Sequence, residues 1–176
     1  MGTINYKTSD YITLGLKPYD RDDFMNDTEY MDYIREEWGI DTNDERAVYN
    51  TIDEEISYYY EADYANIETE LKKHRFYYYH VRIEPGYYEG FTLDIEFNFG
   101  VAFDSWEDRR EAQKEITEIK RFLIECAGMG MVVCWPGWGT SYGDYKQTLT
   151  AINKAVKGMR EEVKHTPTWG QYEKEA

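Results

Sequence analysis

Two carboxylates one residue apart, Asp94 and Glu96, are the first candidates for chemistry. In Phe91–Thr92–Leu93–Asp94–Ile95–Glu96–Phe97 polar and apolar residues alternate, so both acids fall on one face of a strand. A pair of that kind can hold Mg²⁺ in a nuclease. Such sites usually add a nearby lysine in an E-x-K pattern, and here Phe97 and Asn98 follow instead. His80, Arg82 and Glu84 alternate in the same way along the preceding strand, so cross-strand pairing on a wet face accounts for Asp94 and Glu96 as well. A metal-dependent, nuclease-like enzyme built on Asp94 and Glu96 is the alternative reading. The main expectation is a non-enzymatic protein with no metal and no cofactor.

The remaining motifs point the same way. A calcium loop needs oxygen ligands at its positions 1, 3, 5 and 12 and glycine at position 6. Counted from Asp41, position 6 is Arg46 and position 12 is Ile52; counted from Asp20, position 5 is Phe24. The Gly/Trp segment 135–143 joins a strand to a helix, a place where phosphate can bind. Its glycines at 137, 139 and 143 match neither a P-loop nor G-x-G-x-x-G, and a shaped turn is the favoured reading. His74, His80 and His165 are scattered, no metal-ligand spacing links them to Cys126 or Cys134, and no G-x-S-x-G elbow occurs. The two cysteines lie in apolar patterns and read as core residues of a reducing compartment.

Charge is the strongest signal. The 176 residues carry a formal net charge of −15. Residues 19–70 hold eighteen acidic side chains against three basic ones, Arg21, Arg35 and Arg46, a balance of −15; the rest of the chain balances at zero. A chain this acidic does not neutralise phosphates, so no direct nucleic-acid binding is expected, and an anionic membrane surface repels it. Solubility alone does not require segregation, because charges of both signs can be mixed over a surface, whereas packing like charges together costs stability. The same segment holds eight tyrosines, which bring large amphipathic area with few rotors. Its expected partner is a basic protein.

Hydrophobic periodicity supplies the elements that must carry this surface. Ile12, Leu14 and Leu16 alternate into a strand ending at Pro18. Thr28 opens a helix over 28–38 that Gly39 closes, and Val48, Ile52, Ile56 and Tyr59 give a second helical stripe from about Asn43, with Ile67 and Leu71 continuing it or starting another helix. Tyr77–Ile83 and Phe91–Phe99 form a long antiparallel hairpin around Pro85–Gly90. Ser105 caps a helix with the stripe Ala112, Ile116, Ile119, Leu123 and Cys126; Met131–Trp135 is a short strand; Asp144 caps a last helix; 166–176 reads as a loose tail. The predicted fold is a single α+β domain over 1–176. A small, mainly antiparallel sheet is packed by two helices, the hairpin/α/β/α core spans 77–164, and 19–70 is an acidic helical insertion after the first strand. No targeting segment or bilayer-length apolar run is visible, which leads us to expect a cytoplasmic protein.

An acidic helical surface can imitate a nucleic-acid backbone. Two antiparallel helices drawn from the 52 residues would be about 40 Å long at the α-helical rise, and B-DNA of that length carries on the order of 23 charges, against a net 15 here. In size, acidity, tyrosine richness and the segregated block at 19–70 the chain resembles the small acidic DNA-mimic proteins of phages and mobile elements, including anti-restriction proteins and some anti-CRISPR inhibitors. The resemblance implies a protein of the bacterial host cytoplasm that blocks a CRISPR or restriction nuclease by occupying its DNA- or guide-binding cleft. No catalytic residue carries over. The contact residues expected are Asp53, Glu54, Glu55, Tyr58, Tyr59, Glu61 and Asp63, with Glu36 and Glu37. A phage structural or assembly protein, whose acidic face binds a copy of itself or a capsid-type partner, is a further alternative.

Overall fold

The computed structural model describes residues 12–16, 18–85, 91–97, 102–135 and 141–175. In chain order these form β1 (Leu14–Leu16), α1 (Arg21–Met25), α2 (Thr28–Trp38), α3 (Glu45–Lys72), β2 (Tyr79–Pro85), β3 (Phe91–Phe97), α4 (Trp106–Gly128), β4 (Met131–Trp135), β5 (Ser141–Tyr142), α5 (Tyr145–His165) and α6 (Trp169–Glu175). The fold is α+β. The strands order as β2-β3-β1-β4-β5, and every neighbouring pair is antiparallel. The described residues divide into two compact units, one of residues 18–66 and one of the chain before and after it. Helix α3 begins in the first, and its last turns, from Ile67, belong to the second.

In the core unit, α4 and α5 pack on each other and against β4. The stripe Ala112, Ile116, Ile119, Leu123 and Cys126 is fully buried, as its helical spacing requires, together with Phe122, Met131 and Met159. The Ser105 side chain accepts from Asp108 N, and Asp144 with Gln147 forms a reciprocal capping box at the start of α5. Both thiols are buried, and burial beside the charges of Glu70 and Glu125 pushes the Cys126 thiol up to about 12. Gly143 donates to Val133 O at 2.8 Å, and a Cβ there would lie 2.6 Å from Val133 Cγ1. The close approach of β4 and the α5 entry therefore needs glycine.

One carboxylate is built into this core. Glu115 of α4 accepts hydrogen bonds from three successive backbone amides, Tyr77 N at 2.5 Å, Tyr78 N at 2.8 Å and Tyr79 N at 3.0 Å, and so fixes the entry to β2. Burial raises its pKa against the pull of those three donors.

Two expectations need correction. Residues 166–175 are not a loose tail. Phe103 N donates to Pro167 O and Trp169 N to Phe103 O, each at 2.9 Å; Thr168 is buried; and Thr168 N donates to the Gln171 side chain at the start of α6. The Thr168-x-x-Gln171 spacing of a capping box was the available signal. Helix α2 is capped by Asp27 rather than Thr28: its carboxylate accepts from Glu29 N and Tyr30 N. The Gly39 C-cap has the left-handed φ of 65° that favours glycine. Helix α3 runs unbroken through Ile67 and Leu71, and the carboxylate of Asp44 accepts from Arg46 N and Ala47 N at its start. Residues 86–90, 98–100 and 136–140 of the hairpin turn, the end of its second strand and the Gly/Trp loop lie outside the described residues.

Candidate partner-binding surface

The unit of residues 18–66 holds sixteen acidic and three basic side chains, a balance of −13. Ile34, Val48 and Ile52 are its buried aliphatic centre. Tyrosine supplies much of the remaining packing. Tyr19 stacks edge-on to Tyr60 at 5.1 Å and lies 5.5 Å from Tyr59, while Phe24 packs on Tyr30 and Tyr59 at 5.2 and 6.1 Å. Polar bonds pin the short α1 region to α3. Arg21 forks onto both oxygens of Asp53 at 2.8 and 2.9 Å with its guanidinium 4.6 Å over the Tyr49 ring, and the Tyr19 hydroxyl donates to Asp63 at 2.7 Å. Arg21 was not singled out by its sequence context, yet it determines what Asp53 can do.

The structure therefore sorts the expected contact residues into two sets. Asp53, Asp63, Glu55 and Tyr59 are engaged inside the unit. Asp53 and Asp63 hold the bonds just given. Burial, followed by the Glu55 charge, raises the Tyr59 pKa, and the same two causes push Tyr30 up to about 12. Tyr19 rises to about 12 through burial and its bond to Asp63. These phenols stay neutral donors at physiological pH, so the unit's negative charge comes from carboxylates alone. The Tyr30 hydroxyl is buried without a hydrogen-bond partner.

Glu54, Tyr58 and Glu61 form the second set. At i, i+4 and i+7 they share one face of α3. All three are exposed, Tyr58 at 67%, and the two carboxylates have no hydrogen bond or ion pair among the described residues. Glu36 and Glu37 are exposed on α2, where Glu36 lies 3.4 Å from Arg35. Tyr33 and Trp38, 48% and 45% exposed, stack edge-on beside them at 5.6 Å. At 1.5 Å per residue α3 is about 42 Å long, so its outward carboxylates are strung along a rod.

The other candidates occupy the core unit. The hairpin register places Asp94 opposite Arg82 and Glu96 opposite His80. Among the described residues no group of three or more His, Cys, Asp or Glu side chains gathers as a metal site would require. No described helix is long and apolar enough to cross a membrane. No protein-family model, curated protein or solved structure matches the chain.

Proposed function

We propose that the chain is a non-enzymatic inhibitor of a host defence nuclease, of the anti-CRISPR or anti-restriction kind, which binds the nuclease's basic nucleic-acid cleft through residues 19–70. One observation carries this reading. The outward face of α3 presents Glu54, Tyr58 and Glu61 one turn apart, exposed and unneutralised, on a unit whose like charges repel one another. A unit that tolerates that repulsion gains from a cationic partner. A rigid helix also presents its charges pre-ordered, so little entropy is lost when a cleft closes on them. Tyr58 supplies the aromatic anchor around which such contacts concentrate their energy. The reading needs no bond to be made or broken by this chain.

The test is a pull-down from bacterial lysate at low and at high salt, followed by binding of the recovered nuclease to a Glu54→Lys/Tyr58→Ala/Glu61→Lys variant. The expected outcome is one nucleic-acid-processing enzyme, displaced by salt or by competing DNA, whose affinity falls by about a hundredfold or more in the variant, as truncated hot spots do. Unchanged affinity in a folded variant would remove α3 from the interface and the mimic reading with it.

A further inference from the structure

The core unit carries a surface of the opposite sign. Helix α5 holds five basic residues, Lys146, Lys154, Lys157, Arg160 and Lys164, against Glu161 and Glu162. Lys146, Lys157 and Lys164 are separated by eleven and seven residues, close to three and two whole helical turns, so they form one line about 27 Å long. Lys154 and Arg160 flank that line. The four lysines are exposed and have no ion pair among the described residues. Four other helical cations of the unit have a partner within a turn: Lys72 with Glu68, Lys73 with Glu70, Lys114 with Glu111 and Arg121 with Glu118, all at 2.6–2.8 Å. On α5 the Glu161 carboxylate instead lies 3.4 Å from His165.

Beside this line runs a groove of about 750 Å³. Its walls are Ile12, Val133 and Trp135 on the sheet side and Ala151 and Gly158 on the helix side, and Lys146 and Lys154 stand at its edge. Trp135 is 52% exposed. An apolar slot rimmed by unpaired lysines fits an aromatic ring flanked by carboxylates one turn away on either side. This chain presents that motif itself, as Glu54, Tyr58 and Glu61. Lys146 and Lys154, the two lysines that line the groove, are eight residues apart, about 12 Å, against seven residues and about 10.5 Å for Glu54–Glu61, so a helix laid along α5 with Tyr58 over the slot brings both carboxylates near a lysine.

We infer that the α5 stripe and its groove are a docking surface for the α3 face of a second copy of this chain. Duplex nucleic acid offers the stripe negative charge but no aromatic side chain for the slot. It also meets the field of a molecule whose total charge is −15. A second copy brings both features on one rigid helix. The contact joins unlike faces, so an open assembly keeps one free face of each kind, one at each end, unless the pairing closes on itself. Such a contact occupies the α3 face that the inhibitor reading uses, and partner binding then draws protomers out of the assembly. The inference does not depend on that reading, because self-association requires no nuclease.

Sedimentation of the purified full chain decides it. At low salt the weight-average mass should rise with concentration above the 21.0 kDa of one chain and return to it at high salt. Salt acts here by shortening the Debye length from about 10 Å at 0.1 M to about 3 Å at 1 M. A Lys154→Glu/Lys157→Glu variant and a Glu54→Lys/Glu61→Lys variant should each lose about tenfold or more in self-affinity. Mixed in equal amounts they should associate again, because each contributes one intact face. Circular dichroism establishes that both are folded, and Lys→Gln and Glu→Gln pairs replace either reversal that unfolds. A wild type that stays monomeric at low salt, an oligomer indifferent to both variants, or a mixture that does not recover would each overturn the inference. So would a monomeric wild type that binds labelled duplex DNA through the stripe.

Discussion

The two units are held together by different physics. The core unit buries contiguous aliphatic and aromatic stripes from α4, α5 and the sheet, and a deeply placed carboxylate, Glu115, is satisfied by three amides. The acidic unit has three fully buried aliphatic side chains among its described residues and relies on tyrosine rings, aspartate caps and the Arg21–Asp53 fork while carrying a balance of −13. Apolar burial is nearly indifferent to salt, whereas charge repulsion is not. The contrast teaches that apolar burial and unbalanced charge have been allotted to separate stretches of chain. The core is held by its apolar packing, and the acidic unit leaves the outward carboxylates of Glu54 and Glu61 exposed and without an ion pair among the described residues.

Substitutions at three positions would break or sharpen that contrast. The largest effect is expected from Phe122→Ala, which opens a void under a fully buried side chain and should cost about 3–5 kcal/mol. Chemical denaturation should show this loss to be the same at low and high salt. Glu115→Ala comes next, at about 1–3 kcal/mol or somewhat more, because three amides lose their acceptor. Glu115→Gln should cost less and exposes a pH effect. The folded-state pKa of Glu115 is raised above its ordinary value of 4.5. The stability this adds is fully present below that value and is lost as pH rises through the folded value. Wild type should therefore gain on Glu115→Gln as pH is lowered through that window, and parallel melting profiles would show that burial does not govern this carboxyl. The smallest effect belongs to Arg21→Ala. Both partners of its bridge are about half exposed, at 43% and 52%, so the loss should be under about 1 kcal/mol. It should nonetheless grow as salt is removed, because a −13 unit then loses one of three cations. An Arg21→Ala cost that ignored salt would mean the unit is held as the core is.

Much of the core could be read directly. The helical stripe from Ala112 to Cys126 is a periodicity that burial enforces, and the structure buries it; the two alternating segments pair as antiparallel strands from Tyr79–Phe97 to Pro85–Phe91. Ser105 and Asp144 announced their helices because capping is local chemistry. The acidic unit was legible as charge but not as geometry. Nothing in the spacing says that Arg21 will reach Asp53 across 32 residues, and so nothing distinguished a spoken-for Asp53 from an open Glu54. The α5 stripe escaped notice for a different reason. Summing charge over everything outside 19–70 gives zero, and that sum conceals that α5 alone is net basic and that its lysines share a face.

The two buried thiols have a practical consequence. A cysteine reacts through its thiolate, and Cys126, fully enclosed with its pKa pushed up to about 12, offers almost none near neutral pH; Cys134 is 4% exposed. Both natural thiols should therefore react slowly with maleimides while the protein is folded. One cysteine placed at exposed Asn50, a turn before Glu54, would take a single fluorophore at a defined point beside the acidic face, with no need to strip the natural cysteines first.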